Sequence, residues 1–189
     1  MTATIEQDVV ADCARLIQFD TSNFGAGDSR GERAAAEWVA EQLTDCGYQP
    51  QVYEAAPGRA STVLRIAGTD RDAPGLLVHG HLDVVPATGW SFDPFGGEIR
   101  DGAVWGRGAL DMKDMDAMML ATVRGFARDG YQPPRDLVLA FVADEEDTGE
   151  LGALFLARQH PDLFEGIATA IGESGGYATQ LPDGGRLYP

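Results

Sequence analysis

Cysteine is nearly absent: the 189 residues contain two, Cys13 and Cys46, too few for a disulfide framework or a thiolate metal cluster. Each continues the apolar stripe of an expected helix, Cys13 after Ile5, Val9 and Val10 and Cys46 after Ala35, Val39 and Leu43. Both read as reduced core residues. Basic residues are scarce too. Fourteen Lys and Arg stand against 30 Asp and Glu, a net charge of -16, which excludes a general basic field for nucleic acid phosphates or anionic lipid. No run approaches the roughly 18 apolar residues of a membrane span, and the first ten residues carry Glu6 and Asp8 in place of a basic start before an apolar stretch. The chain reads as cytoplasmic, with no nucleic acid and no membrane partner. Its 24 glycines and 10 prolines stay below the level that signals low complexity. What is present is 44% hydrophobic residues, enough for one domain that buries about 70% of its unfolded surface.

The hydrophobic pattern alternates between two periods. Residues 5–19 repeat as an amphipathic helix, 20–28 form a loop rich in Ser, Asn, Gly and Asp, and a second helix runs from 29 or 30 to 46, with Gly47 as its cap. Short apolar or β-branched runs at 51–54, 62–66 and 76–79 read as strands, the last buried on both faces. Residues 97–105 make a hairpin turning at Asp101-Gly102. A long helix over 113–129 places Met115, Met118 and Met119 on a broad apolar face, read as core. Then come the strongest strand, 136–143, a helix over 149–159, and a short strand over 167–171. Strands alternating with helices predict an α/β fold, a mainly parallel, doubly wound sheet flanked by helices. After the turn signal Asp183-Gly184-Gly185 only four residues remain, too few for a normal returning strand.

In open α/β sheets ligands collect at the carboxyl ends of the strands. Past the apolar run 76–78 comes His79-Gly-His81-Leu-Asp83; past 136–143 comes Asp144-Glu145-Glu146-Asp147; past 167–171 comes Glu173; and Gly106-Arg-Gly-Ala-Leu-Asp111-Met-Lys113 precedes the long helix. So many carboxylates beside an imidazole at one sheet edge are costly unless a cation neutralises them. A mixed nitrogen and oxygen set without thiolate suits catalytic zinc, and also manganese or cobalt. A carboxylate such as Asp111 can bridge two metals about 3.5–4 Å apart. Adjacent Glu145 and Glu146 point in different directions at a strand mouth, so one can ligate while the other serves as general base. The spacing of His81 and Asp83 suits a carboxylate that orients the imidazole. His79 reads as a hydrogen-bonded packing residue, and Lys113 as a partner of nearby carboxylates.

Four ordered motifs, His79-Gly-His-Leu-Asp-Val-Val-Pro86, Gly106-Arg-Gly-Ala-Leu-Asp-Met-Lys113, Asp144-Glu-Glu146 and Gly172-Glu173-Ser-Gly-Gly176, resemble those of the co-catalytic zinc metallopeptidase family. That family includes aminoacylase, glutamate carboxypeptidase, acetylornithine deacetylase and succinyl-diaminopimelate desuccinylase. The resemblance covers essentially the whole chain. It implies two Zn2+ ions, with His81 and Glu173 on one, Glu146 on the other and Asp111 between them. It implies Glu145 as the general base that carries a proton from the attacking water to the leaving amine, Asp83 as the residue orienting His81, and a cis peptide after Asp111. The implied activity is hydrolysis of amide bonds in N-acyl amino acids or small peptides.

Two departures from the pattern stand out. Family members have Gly after Asp-Met-Lys where this chain has Asp114; a carboxylate at a helix start is favourable, so tolerance is expected. Family chains also continue into a lid domain, often used for homodimerisation, and a return segment with a last His ligand. By the resemblance, residues 1–189 are the N-terminal portion of the catalytic domain, ending before the lid. The alternative expectation is a metal-binding module without catalytic activity of its own.

Overall fold

Helix α1 (Ile5–Ile17) starts where Thr4 and Gln7 close a reciprocal capping box, with Glu6 and Asp8 at the positive end of its dipole. This computed structural model describes residues 4–173, 179–180 and 186–187. The expected loop after α1 contains a small antiparallel hairpin, β1 (Asn23–Gly25) with β2 (Asp28–Ser29). Helix α2 (Arg33–Asp45) therefore begins later than its composition suggests. Ser29 is paired with Asn23, and Glu32 turns its carboxylate onto Arg59 rather than onto the helix amides.

Next come β3 (Gln51–Ala56), β4 (Arg59–Ile66) and β5 (Gly75–His81). The expected hairpin is present as β6 (Glu98–Arg100) and β7 (Ala103–Trp105). Its turn residues Asp101 and Gly102 hold φ of 52° and 75°, as a tight two-residue turn requires. Helix α3 (Lys113–Asp129) ends at Gly130 in the left-handed region. After β8 (Leu137–Val142), residues 149–152 form a turn before α4 (Ala153–Gln159). A 3-10 turn at Pro161–Phe164 leads into β9 (Ile167–Ile171). The chain does return on itself beyond this point: β10 (Thr179–Gln180) pairs antiparallel with β11 (Arg186–Leu187). Two residues per strand suffice, because one antiparallel pair exchanges both of its hydrogen bonds. The Asp183-Gly184-Gly185 turn and Ser174 to Gly176 of the last motif lie outside the described residues.

The main sheet has the order β3-β4-β8-β5-β9. Pairings β8/β5 and β5/β9 are parallel, while β3/β4 and β4/β8 are antiparallel. Four of the five strands thus run the same way and only β4 opposes them. Central β8 is buried along its whole length. Leu137, Leu139 and Phe141 face Leu16, Ile17, Val39, Leu43, Leu120 and Val123 of the first three helices. Val138, Ala140 and Val142 pack with Leu156 of α4 on the other face. This two-sided burial explains the continuous apolar run, and each such Leu or Phe contributes about 1.5–3 kcal/mol. Of the Met cluster, Met119 is core, whereas Met118 stays exposed over an apolar groove shared with Val78 and Leu137. No helix among the described residues is long and apolar enough to cross a membrane.

Candidate metal centre

The parallel direction of β5, β8 and β9 brings their carboxyl ends to one edge, and the acidic residues follow from it. His81 is the last residue of β5, Glu145 and Glu146 sit three and four residues past β8, and Glu173 lies two past β9. Asp111 arrives from the turn before α3, across a cis Asp111–Met112 peptide bond. Four of the expected groups meet. His81 Nε2 lies 3.1 Å from Asp111 Oδ1, 3.4 Å from Glu173 Oε2 and 3.6 Å from Glu145 Oε2.

Donor atoms of His81, Asp111 and Glu173 all fall within 4.8 Å of one another. The imidazole is buried, while the side chains of Asp111, Glu145 and Glu173 are 55%, 54% and 41% exposed. His81 and Glu173 line a cavity of about 170 Å³ together with Glu145, and with Asp111 they offer one nitrogen and two carboxylate oxygens, the donor set of a catalytic divalent metal. These residues fit such an ion. Glu146 is outside this group; its Oε1 accepts the Val85 N–H at 3.2 Å.

Electrostatics favour a cation here. Burial tends to lower the His81 pKa, but the hydrogen bonding and charge of Asp83, with Asp116 behind, outweigh it and push it up to about 10. The carboxylates that attract this proton attract a metal equally well, and the two compete for the ring nitrogen. Burial, then the neighbouring Asp111, raises Glu146 to about 6.

Asp83 does more than its spacing suggests. His81 Nδ1 lies 2.9 Å from the Asp83 backbone carbonyl and 3.6 Å from the carboxylate. The carboxylate instead accepts the backbone N–H groups of Glu145 (3.1 Å) and Glu146 (3.0 Å) and the Asn23 amide (2.9 Å). One side chain thus fixes the strand end that carries His81 and the loop that carries both glutamates. Burial opposes its ionisation, yet the His81 imidazole, the Asn23 amide and the Glu146 N–H together hold its pKa below the ordinary carboxylate range.

Beneath the acidic loop lies a buried ionic chain. Arg59 donates from Nε to Glu32 at 2.9 Å and from Nη2 to Asp144 at 2.7 Å. Asp144 holds a left-handed φ of 65° and accepts the Leu151 N–H at 3.0 Å, shaping the turn after β8. Nothing in the local pattern of Glu32, Arg59 or Asn23 signals this role, because the partners are distant in sequence.

Three expectations change. Lys113 is fully buried and donates to the Phe19 carbonyl at 2.8 Å, not to a carboxylate; burial lowers it to about 8. His79 lines the cavity with His81, Glu145 and Glu173, and its side chain makes no hydrogen bond among the described residues. Cys46 is only half-buried, though both thiols are free. Asp116, fully buried, has no hydrogen-bond partner for either oxygen, and burial raises its pKa well above the carboxylate range. It sits against Gly80, where an added Cβ would lie 2.4 Å from Asp116 Oδ1.

Residues 77–183 match the model of peptidase family M20/M25/M40. The chain is 39% identical over 129 residues to aminoacylase-1 of Sus scrofa, covering 66% of this chain and 32% of that protein. It is 31% identical over 153 residues to the N-formyl-4-amino-5-aminomethyl-2-methylpyrimidine deformylase of Bacillus subtilis (strain 168), covering 79% and 35%. The chain thus spans about a third of the length of these curated relatives. Among solved structures, the di-peptidase Dug1p of Saccharomyces cerevisiae superposes with a TM-score of 0.73 at 23% identity, over 92% of this chain and 39% of that one. Human carnosine dipeptidase 1 gives 0.69 at 20% identity, over 89% and 38%. These structures share its fold.

Proposed function

This chain belongs to peptidase family M20/M25/M40, and from that premise we propose that it is the metal-carrying part of a hydrolase of amide bonds in N-acyl amino acids or small peptides. The observation that carries the reading is the convergence on His81 Nε2 of Glu145 and Glu173 from the ends of parallel strands and of Asp111 from the turn before α3.

In this reading His81, Asp111 and Glu173 would hold one ion, and Glu146 with Asp111 would hold a second; zinc suits the set, with cobalt or manganese as substitutes. When bound, such a pair supplies Lewis acidity that polarises the substrate carbonyl and acidifies water. Glu145 is left free of the ligand set to accept a proton from the attacking water and return it to the leaving amine. Asp83 positions both glutamates through their backbone N–H groups. Residues 1–189 then form the first portion of a catalytic domain. We place the protein in the cytoplasm, consistent with its two free thiols, and a homodimer formed through a lid domain accords with the same reading.

The test is metal content of the purified chain together with hydrolysis of a panel of N-acyl amino acids and dipeptides. Turnover lost to a chelator and restored by zinc is expected. Chelator-insensitive turnover would sink the mechanism, and bound metal without turnover would make the chain a binding module instead.

A further inference from the structure

Asp116 occupies a place that the pattern of α3 reserves for an apolar side chain. It precedes Leu120 and Val123 by four and seven residues, on the stripe that the helix turns to the core. The residue is completely buried, and neither carboxyl oxygen has a hydrogen-bond partner among the described residues. Lys113, one turn earlier and also buried, donates instead to the Phe19 carbonyl at 2.8 Å. A buried carboxylate without a partner is costly, and an apolar side chain there would carry no such penalty. Packing alone does not account for Asp116.

Its position joins it to the metal centre. A Cβ on Gly80 would lie 2.4 Å from Asp116 Oδ1 and 3.3 Å from Met112 Cε, so the carboxyl, Gly80 and Met112 meet at one place. Gly80 precedes His81 and Met112 follows Asp111. Both line the cavity with His81, Glu145 and Glu173. The carboxyl thus stands just behind two residues of the cavity wall, with no exposed surface of its own. Burial weighs most against its charge; compensation comes first from His81 and then from Lys113, while Asp114 and Asp83 oppose it. His81 in turn responds to Asp116. In a protein interior such coupling acts across an intervening residue without contact, and a metal ion on His81 would bring positive charge to the same place.

We propose that Asp116 is a buried counter-charge that raises the affinity of the His81 centre for a divalent cation and lowers the stability of the metal-free chain. It is a positioning residue, acting on His81 from behind Gly80. The proposal rests on the metal-centre reading above, and its test needs no turnover. Zinc affinity of the full chain is measured by competition with a chromogenic chelator, and melting temperature is measured without metal, for the parent, Asp116→Asn and Asp116→Ser. Asparagine keeps the shape without the charge, and a serine hydroxyl can bond the carbonyl one turn back. Both variants are expected to bind zinc about 10–100-fold more weakly, the range for groups behind the ligands, with at least one melting no lower than the parent. Zinc affinity that falls by less than about tenfold in either variant overturns the proposal. Weakened binding with a lower melting temperature in both variants also overturns it, by making Asp116 a packing residue. A parent chain that binds no zinc overturns the metal reading and the proposal together, whereas zinc bound equally well by parent and variants overturns the proposal alone.

Discussion

Two groups of charges lie one above the other at the end of the sheet, and they are built on opposite terms. The lower one, Glu32–Arg59–Asp144, is buried, and its cation lies between two anions. The upper one, Asp111, Glu145 and Glu173 around His81, is half-exposed and overwhelmingly of one sign. The lower group satisfies itself and fixes where the loops go. The upper group is unfinished without a cation from outside. A fold can carry an uncompensated cluster of like charge only on a base whose own charges are already settled. Asp83 joins the two, touching Asn23 below and the Glu145 and Glu146 amides above.

That contrast can be broken from either side. Glu145→Gln in the upper group is expected to lower kcat by about 10²–10⁴-fold, the range of general base catalysis, while metal content and melting temperature stay near those of the parent. Paired loss of metal or stability would move Glu145 out of the proton-transfer role. Arg59→Met in the lower group should do the reverse. It strands two buried carboxylates and should cost about 3–5 kcal/mol in urea unfolding; a loss below 1 kcal/mol, by the same principle, would mean the chain is not structural. A third, smaller test uses a carboxylate outside both groups. Asp136 accepts from the Gly68 N–H at 2.8 Å, Arg65 at 2.9 Å and Arg71 at 3.1 Å. The Gly68 N–H and the Arg65 guanidinium hold its pKa below the usual carboxylate range. Because the folded value is the lower one, its contribution is present above the unfolded pKa and lost as pH falls through the folded one. Asp136→Asn should therefore cost about 1–2 kcal/mol at neutral pH and little in strong acid. A pH-independent loss would assign the effect to packing.

The elements that one-dimensional patterns describe were legible in the sequence. β9 and α3 have the expected limits, because one is a compact apolar run and the other starts at the Asp-Met-Lys motif and ends at a glycine. The order of acidic residues past successive strands, with parallel pairing of β5, β8 and β9, was enough to bring His81, Asp111, Glu145 and Glu173 together. What local pattern does not encode is long-range pairing. The Arg59 link to Glu32 and Asp144, the delayed start of α2 and the Lys113 bond to the Phe19 carbonyl all join residues far apart in the chain. Nor does it show which way a side chain turns at a strand mouth, so Glu146 facing Val85 and His79 facing the cavity emerge only in three dimensions.

Gly80 has a consequence for how this sequence can drift. It adjoins His81, and the space where its side chain would stand is filled by the Asp116 carboxyl. Position 80 is not free to change alone: Gly80→Ala collides with Asp116, whereas shrinking Asp116 to Ser or Ala opens the room that an alanine at 80 would need. Gly80→Ala should be harmful by itself and tolerated once Asp116 is smaller. Such a pair of positions, linked across a strand and a helix, would be inherited as a unit.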